Sequence, residues 1–297
     1  GINSNSFLDD IKPSIFCIES NDIIRLDNRI EDSNKGDFGK VLVIAGSSGM
    51  SGAAYLCAKA AIRMGSGLVK IYTSSDNREI IQAQLPEAIV STYDEFDENG
   101  LHKELEWSTV CAIGPGLSQS KTSKKIVECV VGRYDKPLVV DADAINIISS
   151  NKTILDNHQN EIIITPHVGE MCRLTGIDTF DIKSNMIKTA RECTGKYNVI
   201  TVLKSASSVT TLQNGDAYIN TSGNNGMSTG GSGDVLTGII AGIIAGGIVP
   251  SVAAPLGVYI HGLCGDRASE KLGEHFVCAS DIIDMLSLVL KEGLYGE

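Results

Sequence analysis

From Lys40 onward, short runs of apolar and β-branched residues alternate with longer stretches whose apolar positions recur at helical spacing. The short runs predict strands at 41–45, 68–72, 88–92, 110–113, 138–141, 162–165 and 199–203. Two more, at 209–212 and 217–220, flank Asn214-Gly215, a dipeptide that suits the tight turn of a hairpin. The longer stretches predict helices at 51–64, 121–131, 142–148, 168–174, 182–194, 234–245, 251–272 and 280–291. Strand-then-helix alternation implies an α/β fold with a mostly parallel sheet covered by helices, and the late hairpin adds antiparallel strands at one side. Residues 1–35 are polar with scattered apolar positions, which reads as a tail or interdomain linker carrying one strand at 14–17. Residues 36–297 then form the main domain, with no internal repeat.

One segment departs from this pattern. No charged residue occurs from Val235 to Ile260, and Gly238, Gly242 and Gly246 recur at the spacing that packs membrane helices. Pro250 and Pro255 interrupt the run, however, and it is rich in Gly and Ala rather than Leu. That favours two buried core helices over a membrane span.

Composition narrows the class. The chain has 297 residues, 42% of them hydrophobic, enough for one large core. Its net charge of -11 is a poor match to nucleic acid or an anionic membrane, so neither is expected as a partner. If the ligand is a nucleotide, local N–H groups and a few cations must hold its phosphates. The eight cysteines include no CxxC pair and mostly sit in apolar runs, which reads as reduced, buried thiols. Residues 1–10 are polar and acidic, unlike a secretory signal. A cytoplasmic location follows as the expectation.

In parallel sheets, ligands sit beyond the carboxyl ends of the strands, and here those exits are rich in chemistry. The strand at 41–45 runs into Gly46-Ser47-Ser48-Gly49, and the one at 110–113 into Gly114-Pro115-Gly116-Leu117. The next three exit into Asp141-Ala142-Asp143, Thr165-Pro166-His167-Val168-Gly169-Glu170 and Lys204-Ser205-Ala206-Ser207-Ser208. The strongest local signal is Asn224-Asn225-Gly226-Met227-Ser228-Thr229-Gly230-Gly231-Ser232-Gly233-Asp234, directly before an apolar helix. Glycines leave backbone N–H groups accessible and the helix adds the positive end of its dipole, which together suit a phosphate. No Lys-Ser or Lys-Thr follows the glycines, so this is not a P-loop.

Several residues admit two readings. Asp234 beside phosphates makes sense as a base taking the proton of a hydroxyl that attacks phosphorus, kept ionised by the helix terminus; it also makes sense as a plain N-cap. The first glycine turn, 46–53, is either a weak dinucleotide fingerprint or tight packing through Gly52 and Ala53. Asp141 and Asp143 could hold Mg²⁺ through water, or Asp143 could cap the next helix. His167 is either a donor to a ligand or a structural histidine, Glu170 a partner near a metal or of the helix dipole, and Lys204 a phosphate contact or a surface lysine.

Taken together and in order, six segments resemble one family. They are Lys35-Gly36-Asp37-Phe38-Gly39-Lys40, Ala45-Gly46-Ser47 with Gly52-Ala53, Gly114-Pro115-Gly116-Leu117, Asp141-Ala142-Asp143-Ala144, Thr165-Pro166-His167 with Gly169-Glu170, and Gly230-Gly231-Ser232-Gly233-Asp234. From about Lys35 to Lys291 the chain resembles the ADP/ATP-dependent NAD(P)H-hydrate dehydratases of the ribokinase-like fold, a three-layer α/β/α architecture. The resemblance implies repair of NADH or NADPH hydrated at carbon 6 of the nicotinamide ring. ADP or ATP phosphorylates the 6-hydroxyl, and phosphate is then eliminated.

It further implies catalysis by Asp234 with the N–H groups of Gly231 and Gly233, and substrate binding by Ala53, Gly116, His167, Asn225 and Asp234. Nucleotide would be held by Lys204, Ser205, Ala206, Ser207, Ser208 and Gly233, and Mg²⁺ by Asp141 and Glu170. A homo-oligomer is expected, and fusion to or partnership with an NAD(P)H-hydrate epimerase. The chain departs from the usual pattern at Ser205 and Ser118, where Gly is common, at Ser208, where Thr is, and at Val168, where Pro is. The rival readings are a vitamin-precursor kinase of the same fold, which would release a stable phosphorylated product, and a nucleotide-binding module without turnover.

Overall fold

The computed structural model describes residues 13–25, 34–156 and 158–295. Its strands in chain order are β1 (Ile15–Phe16), β2 (Lys40–Ile44), β3 (Leu68–Ser74), β4 (Ile89–Tyr93), β5 (Val110–Ile113), β6 (Leu138–Val140), β7 (Ile162–Ile164), β8 (Ile200–Leu203), β9 (Val209–Thr211) and β10 (Ala217–Ile219). The helices are α1 (Ser51–Arg63), α2 (Arg78–Gln84), α3 (Glu98–Trp107), α4 (Lys121–Arg133), α5 (Ala142–Ser150), α6 (Val168–Thr175), α7 (Thr179–Ser184), α8 (Met186–Tyr197), α9 (Ser232–Ala245), α10 (Pro250–Leu272) and α11 (Ala279–Tyr295).

All these strands join one sheet in the order β1-β10-β9-β8-β7-β6-β5-β2-β3-β4. Pairing is parallel except where β9 runs antiparallel to β8 and β10. Residue alternation along β2 shows why the sheet is covered on both faces. Val41, Val43 and Ala45 enter a core built with α1, α9, α10 and α11. Leu42 and Ile44 enter a second core with α3, α4, α5, α6 and α8. Both faces being dry, the strands read as continuous apolar runs rather than as alternation with polar residues. The result is the three-layer α/β/α sandwich expected from the alternation of elements.

The chain enters the middle of the sheet at β2, builds β3 and β4 to one side, and crosses back to β5 on the other. Strand order therefore reverses between β2 and β5, and a crevice opens beyond their carboxyl ends. The two glycine loops meet there, with the Gly46 N–H donating to Pro115 O at 2.9 Å.

The uncharged run divides into two buried helices. Gly238 and Gly242 of α9 lie against α1, where a Cβ on Gly238 would fall 2.1 Å from Cys57 O. Pro250 does not interrupt: it occupies the first turn of α10, where its missing N–H is no loss. Pro255 lies inside the same helix. Among the described residues no helix is long and apolar enough to cross a membrane.

Two expectations are corrected. The helix at 182–194 is two helices, because Asn185 takes φ −138° and ψ 46° between α7 and α8. Asp178 starts α7 by accepting the N–H groups of Phe180 and Asp181. The helices α2 and α3 were not anticipated. Residues 13–25, read as part of a tail or linker, lie against the body: β1 pairs with β10, and Ile18 and Ile23 are buried in the core. The rest of that stretch, 1–12 and 26–33, lies outside the described residues.

Candidate active site

The exits of β6, β7 and β8 converge on a cleft of about 810 Å³. Asp141 ends β6 and is 1% exposed. Its Oδ1 accepts from Lys204 Nζ at 2.6 Å and its Oδ2 from Thr237 Oγ1 at 2.9 Å. Lys204 follows β8, and its backbone N–H donates to Pro166 O at 2.8 Å, which fastens it beside the β7 exit. The Ser208 hydroxyl closes the loop behind it, accepting from Ser205 N–H and donating to Ser205 O. Lys204 is the only lysine or arginine among the described residues that line the cleft.

His167 caps α6. Its Nδ1 accepts the Gly169 N–H at 2.9 Å, while Glu170 Oε2 accepts the His167 N–H at 2.8 Å. The ring proton therefore belongs on Nε2, 3.5 Å from Glu170 Oε1. Burial, then Lys204 and Arg173, hold the His167 pKa below its usual value, so the ring is neutral near pH 7 and this contact is not an ion pair. Burial pushes the buried Glu170 carboxyl up to about 7, helped by Asp141 and opposed by Lys204.

The glycine-rich segment supplies the opposing element. Gly231 takes φ +90° and N-caps α9 without any side-chain cap; the Ser232 N–H turns back to Thr229 O, and the N–H groups of Gly233 and Asp234 receive no side-chain cap. Asp234 falls in the first turn rather than at the cap, which removes the N-cap reading. Nor is it held fully ionised by the helix end: burial, then the charge of Asp141, push its pKa up to about 7, although Lys204 pulls the other way. A base titrating there is half ionised at neutral pH, which suits proton abstraction.

The cleft thus unites Asp234, Gly233, His167, Asn225, Lys204, Ser205, Ala206, Ser208, Asp141 and Glu170. Ala53 and Gly116 lie apart from its lining, against each other at the β2–β5 crevice, where a Cβ on Gly116 would stand 2.8 Å from Ala53 Cβ. Gly231 faces Leu56 and Ala279 instead of the cleft. Ser207 lines a separate groove with Lys183, Lys188 and Arg191. Asp143 does not cap α5; it accepts the N–H of Ser118, a residue at φ 65° where glycine would be unstrained.

The carboxylates expected at a metal are engaged by protein donors, Asp141 through both oxygens and Glu170 through Oε2. Among the described residues no group of three or more His, Cys, Asp and Glu side chains could hold a metal ion. These carboxylates alone do not make a metal cage, so a Mg²⁺ here would need phosphate and water oxygens as well.

These features have counterparts in known proteins. Residues 41–287 match the family described as NAD(P)H-hydrate dehydratase. This chain is one of them: it belongs to the NAD(P)H-hydrate dehydratase family. It is 33% identical over 268 residues to the ADP-dependent (S)-NAD(P)H-hydrate dehydratase of Bacillus subtilis, covering 90% of this chain and 94% of that protein. The crystal structure of the ADP/ATP-dependent dehydratase from Bacillus subtilis, co-crystallised with ATP/Mg2+, superposes with a TM-score of 0.84 at 30% identity, covering 94% of this chain and 98% of that one. A ribokinase-like superfamily protein from Enterococcus faecalis gives a TM-score of 0.85 at 28% identity and covers 95% of this chain. The bifunctional NAD(P)H-hydrate repair enzyme Nnr of Moorella thermoacetica is 37% identical over 275 residues, 90% of this chain but 52% of that protein. The chain thus spans about half the length of the bifunctional family members it matches.

The far wall of the cleft was not legible in the sequence of this family member. It comprises Asn220, Ser222, His261 and Glu274, beside Asn224 of the glycine-rich segment. Asp266 of α10 organises part of it, accepting from Gly223 N–H at 2.9 Å and Asn224 Nδ2 at 2.8 Å. Burial lowers the pKa of His261 to about 4, so it meets the cleft as a neutral ring beside Ser232 Oγ.

Proposed function

We propose that this chain dehydrates NADH-hydrate or NADPH-hydrate at the expense of ADP or ATP. The observation that carries the reading is the placement of Asp234, with a pKa of about 7, in the first turn of α9 beside the Lys204 ammonium, in a chain of this family. Asp234 takes the proton of the 6-hydroxyl as its oxygen forms a bond to the terminal phosphorus, and the bond from that phosphorus to the nucleotide breaks. Lys204 and the N–H groups of Gly233 and Asp234 meet the charge on the transferring phosphoryl. The C6–O bond of the phosphate ester then breaks, driven by the ring nitrogen's electron pair. Loss of a proton from C5 restores the dihydropyridine and releases inorganic phosphate.

The hydrated ring lies by Asp234 and His167, and its dinucleotide extends toward Ala53 and Gly116 at the crevice. Nucleotide phosphates lie over Gly233 and the loop from Lys204 to Ser208. Magnesium would be held mainly by those phosphates, with Asp141 and Glu170 as the nearby carboxylates, and would neutralise charge on the transferring phosphoryl. Residues 36–297 form the catalytic domain. An epimerase partner and self-association belong to the same reading.

The test is absorbance at 340 nm with purified protein, hydrated NADH, Mg²⁺ and either ADP or ATP. A nucleotide-dependent rise is expected, with Asp234→Asn lowering the rate by about 10²- to 10⁴-fold while nucleotide still binds. Protein that binds nucleotide but gives no rise with either donor would exclude this function.

A further inference from the structure

Within α9, Thr237 is the only residue from Val235 to Ala245 that carries a polar side chain. It is fully buried and lies three residues after Asp234, on the same helical face. A helical threonine often returns its hydroxyl to its own helix's carbonyl four residues back. Thr237 instead reaches across to the end of β6 and donates to Asp141 Oδ2 at 2.9 Å. Valine has the same shape, so packing alone does not account for a hydroxyl in this helix.

The partner of that carboxylate explains what the hydroxyl fixes. Asp141 Oδ1 accepts from Lys204 Nζ at 2.6 Å, and a Cβ built on Gly233 would stand 3.2 Å from the same ammonium. The lysine is therefore held over the first turn of α9, where the positive end of the helix dipole repels a cation. Its flexible stem would otherwise sample many rotamers. Glu170 and Asp234 add attraction, but the hydrogen-bonded counter-charge is Asp141, one oxygen of which holds the ammonium while Thr237 holds the other.

We propose that Thr237 is a positioning residue which, by orienting Asp141, fixes the Lys204 ammonium at the place where the nucleotide's terminal phosphate arrives. The inference rests on the nucleotide-dependent reading of the cleft. It makes the Thr237 hydroxyl, and not its bulk, matter for phosphoryl donor use. The hydrated dinucleotide, which is held by other residues, should not sense the change.

The test compares Thr237→Val, Thr237→Ser and the unmodified chain in steady-state kinetics with each substrate varied, and in calorimetric titration with ADP or ATP. Thr237→Val should lower kcat/KM for the nucleotide by about 10-fold and weaken nucleotide binding, because a hydrogen bond to a buried charge is lost. The KM for hydrated dinucleotide should stay within about twofold, and Thr237→Ser should recover most of the loss. Unchanged nucleotide parameters in the valine variant would overturn the proposal, as would an equal loss toward both substrates that serine does not rescue. If the valine variant does not fold, Asp141→Asn serves in its place: it keeps the acceptor for Thr237, weakens the hold on Lys204, and should give the same nucleotide-selective loss. The binding titration separates this proposal from the function itself. Should the unmodified chain bind nucleotide without turnover, the dehydratase reading falls, and the relative affinities of the three chains still decide the role of Thr237.

Discussion

Asp234 stands where catalysis and stability pull in opposite directions. Its carboxyl titrates at about 7 in the fold against 3.8 in the free residue. Turnover requires the ionised form, so kcat/KM for the hydrated substrate should rise with pH to half its plateau near 7 and fall about tenfold per unit below it; initial rates from pH 5.5 to 8.5 would show this. Between pH 3.8 and 7 the folded state keeps a proton that the unfolded chain has lost, so stability declines as pH rises through that window. Above it the penalty is complete. Asp234→Asn should therefore be slower by about 10²- to 10⁴-fold yet more stable than the unmodified chain by about 1–3 kcal/mol at pH 8, with the difference vanishing near pH 4 in thermal unfolding. The charged and hydroxyl-bearing residues at strand exits were legible because topology sends every parallel strand's carboxyl end to one rim. Thr237, Asp266 and His261 were not, because each lies inside a helix that reads as core. Even Asp234 was only partly legible: sequence put it beside a helix dipole, and burial with Asp141 proved the larger influence.

At the scale of elements, the placement of that base depends on how closely α9 lies against α1. A Cβ on Gly238 would meet Cys57 O at 2.1 Å and Ala60 Cβ at 2.8 Å, both parts of a rigid neighbouring helix. Gly238→Ala should destabilise by about 1–3 kcal/mol, because neither backbone can yield. Gly132 gives the contrast. It sits exposed in α4 with nothing within 4 Å of an added Cβ. Gly132→Ala should stabilise by about 0.5–1 kcal/mol, since alanine loses less freedom on entering a helix. Urea titration of the two variants would check both signs. Long elements with sustained periodicity were legible, as α4 and α11 show. The seven residues of α2 are too few to display a period, and α3 offers only Leu101 and Leu105 as buried positions among charged neighbours. Apolar spacing also ran across Asn185, because periodicity is blind to a single residue leaving helical φ and ψ.

For the whole molecule, the segment ahead of β2 belongs to the fold's stability. Ile23 is 1% exposed and lies against Gly293 of α11, so Ile23→Ala should cost about 2–4 kcal/mol, measurable as a lower urea midpoint. Composition could not reveal this, since two buried isoleucines in a polar stretch carry no periodic signal. The same segment also bears on solubility. Ser14 O accepts from Ala217 N–H at 2.9 Å and from Arg191 at 2.7 Å, and β1 lies along the outer side of β10. A chain trimmed to the domain boundary that sequence suggests would leave Ala217–Ile219 as a bare edge strand, its N–H and C=O groups free to recruit a neighbouring chain. Two residues of strand thus act as a guard against edge-to-edge aggregation, a task quite separate from the chemistry of the cleft.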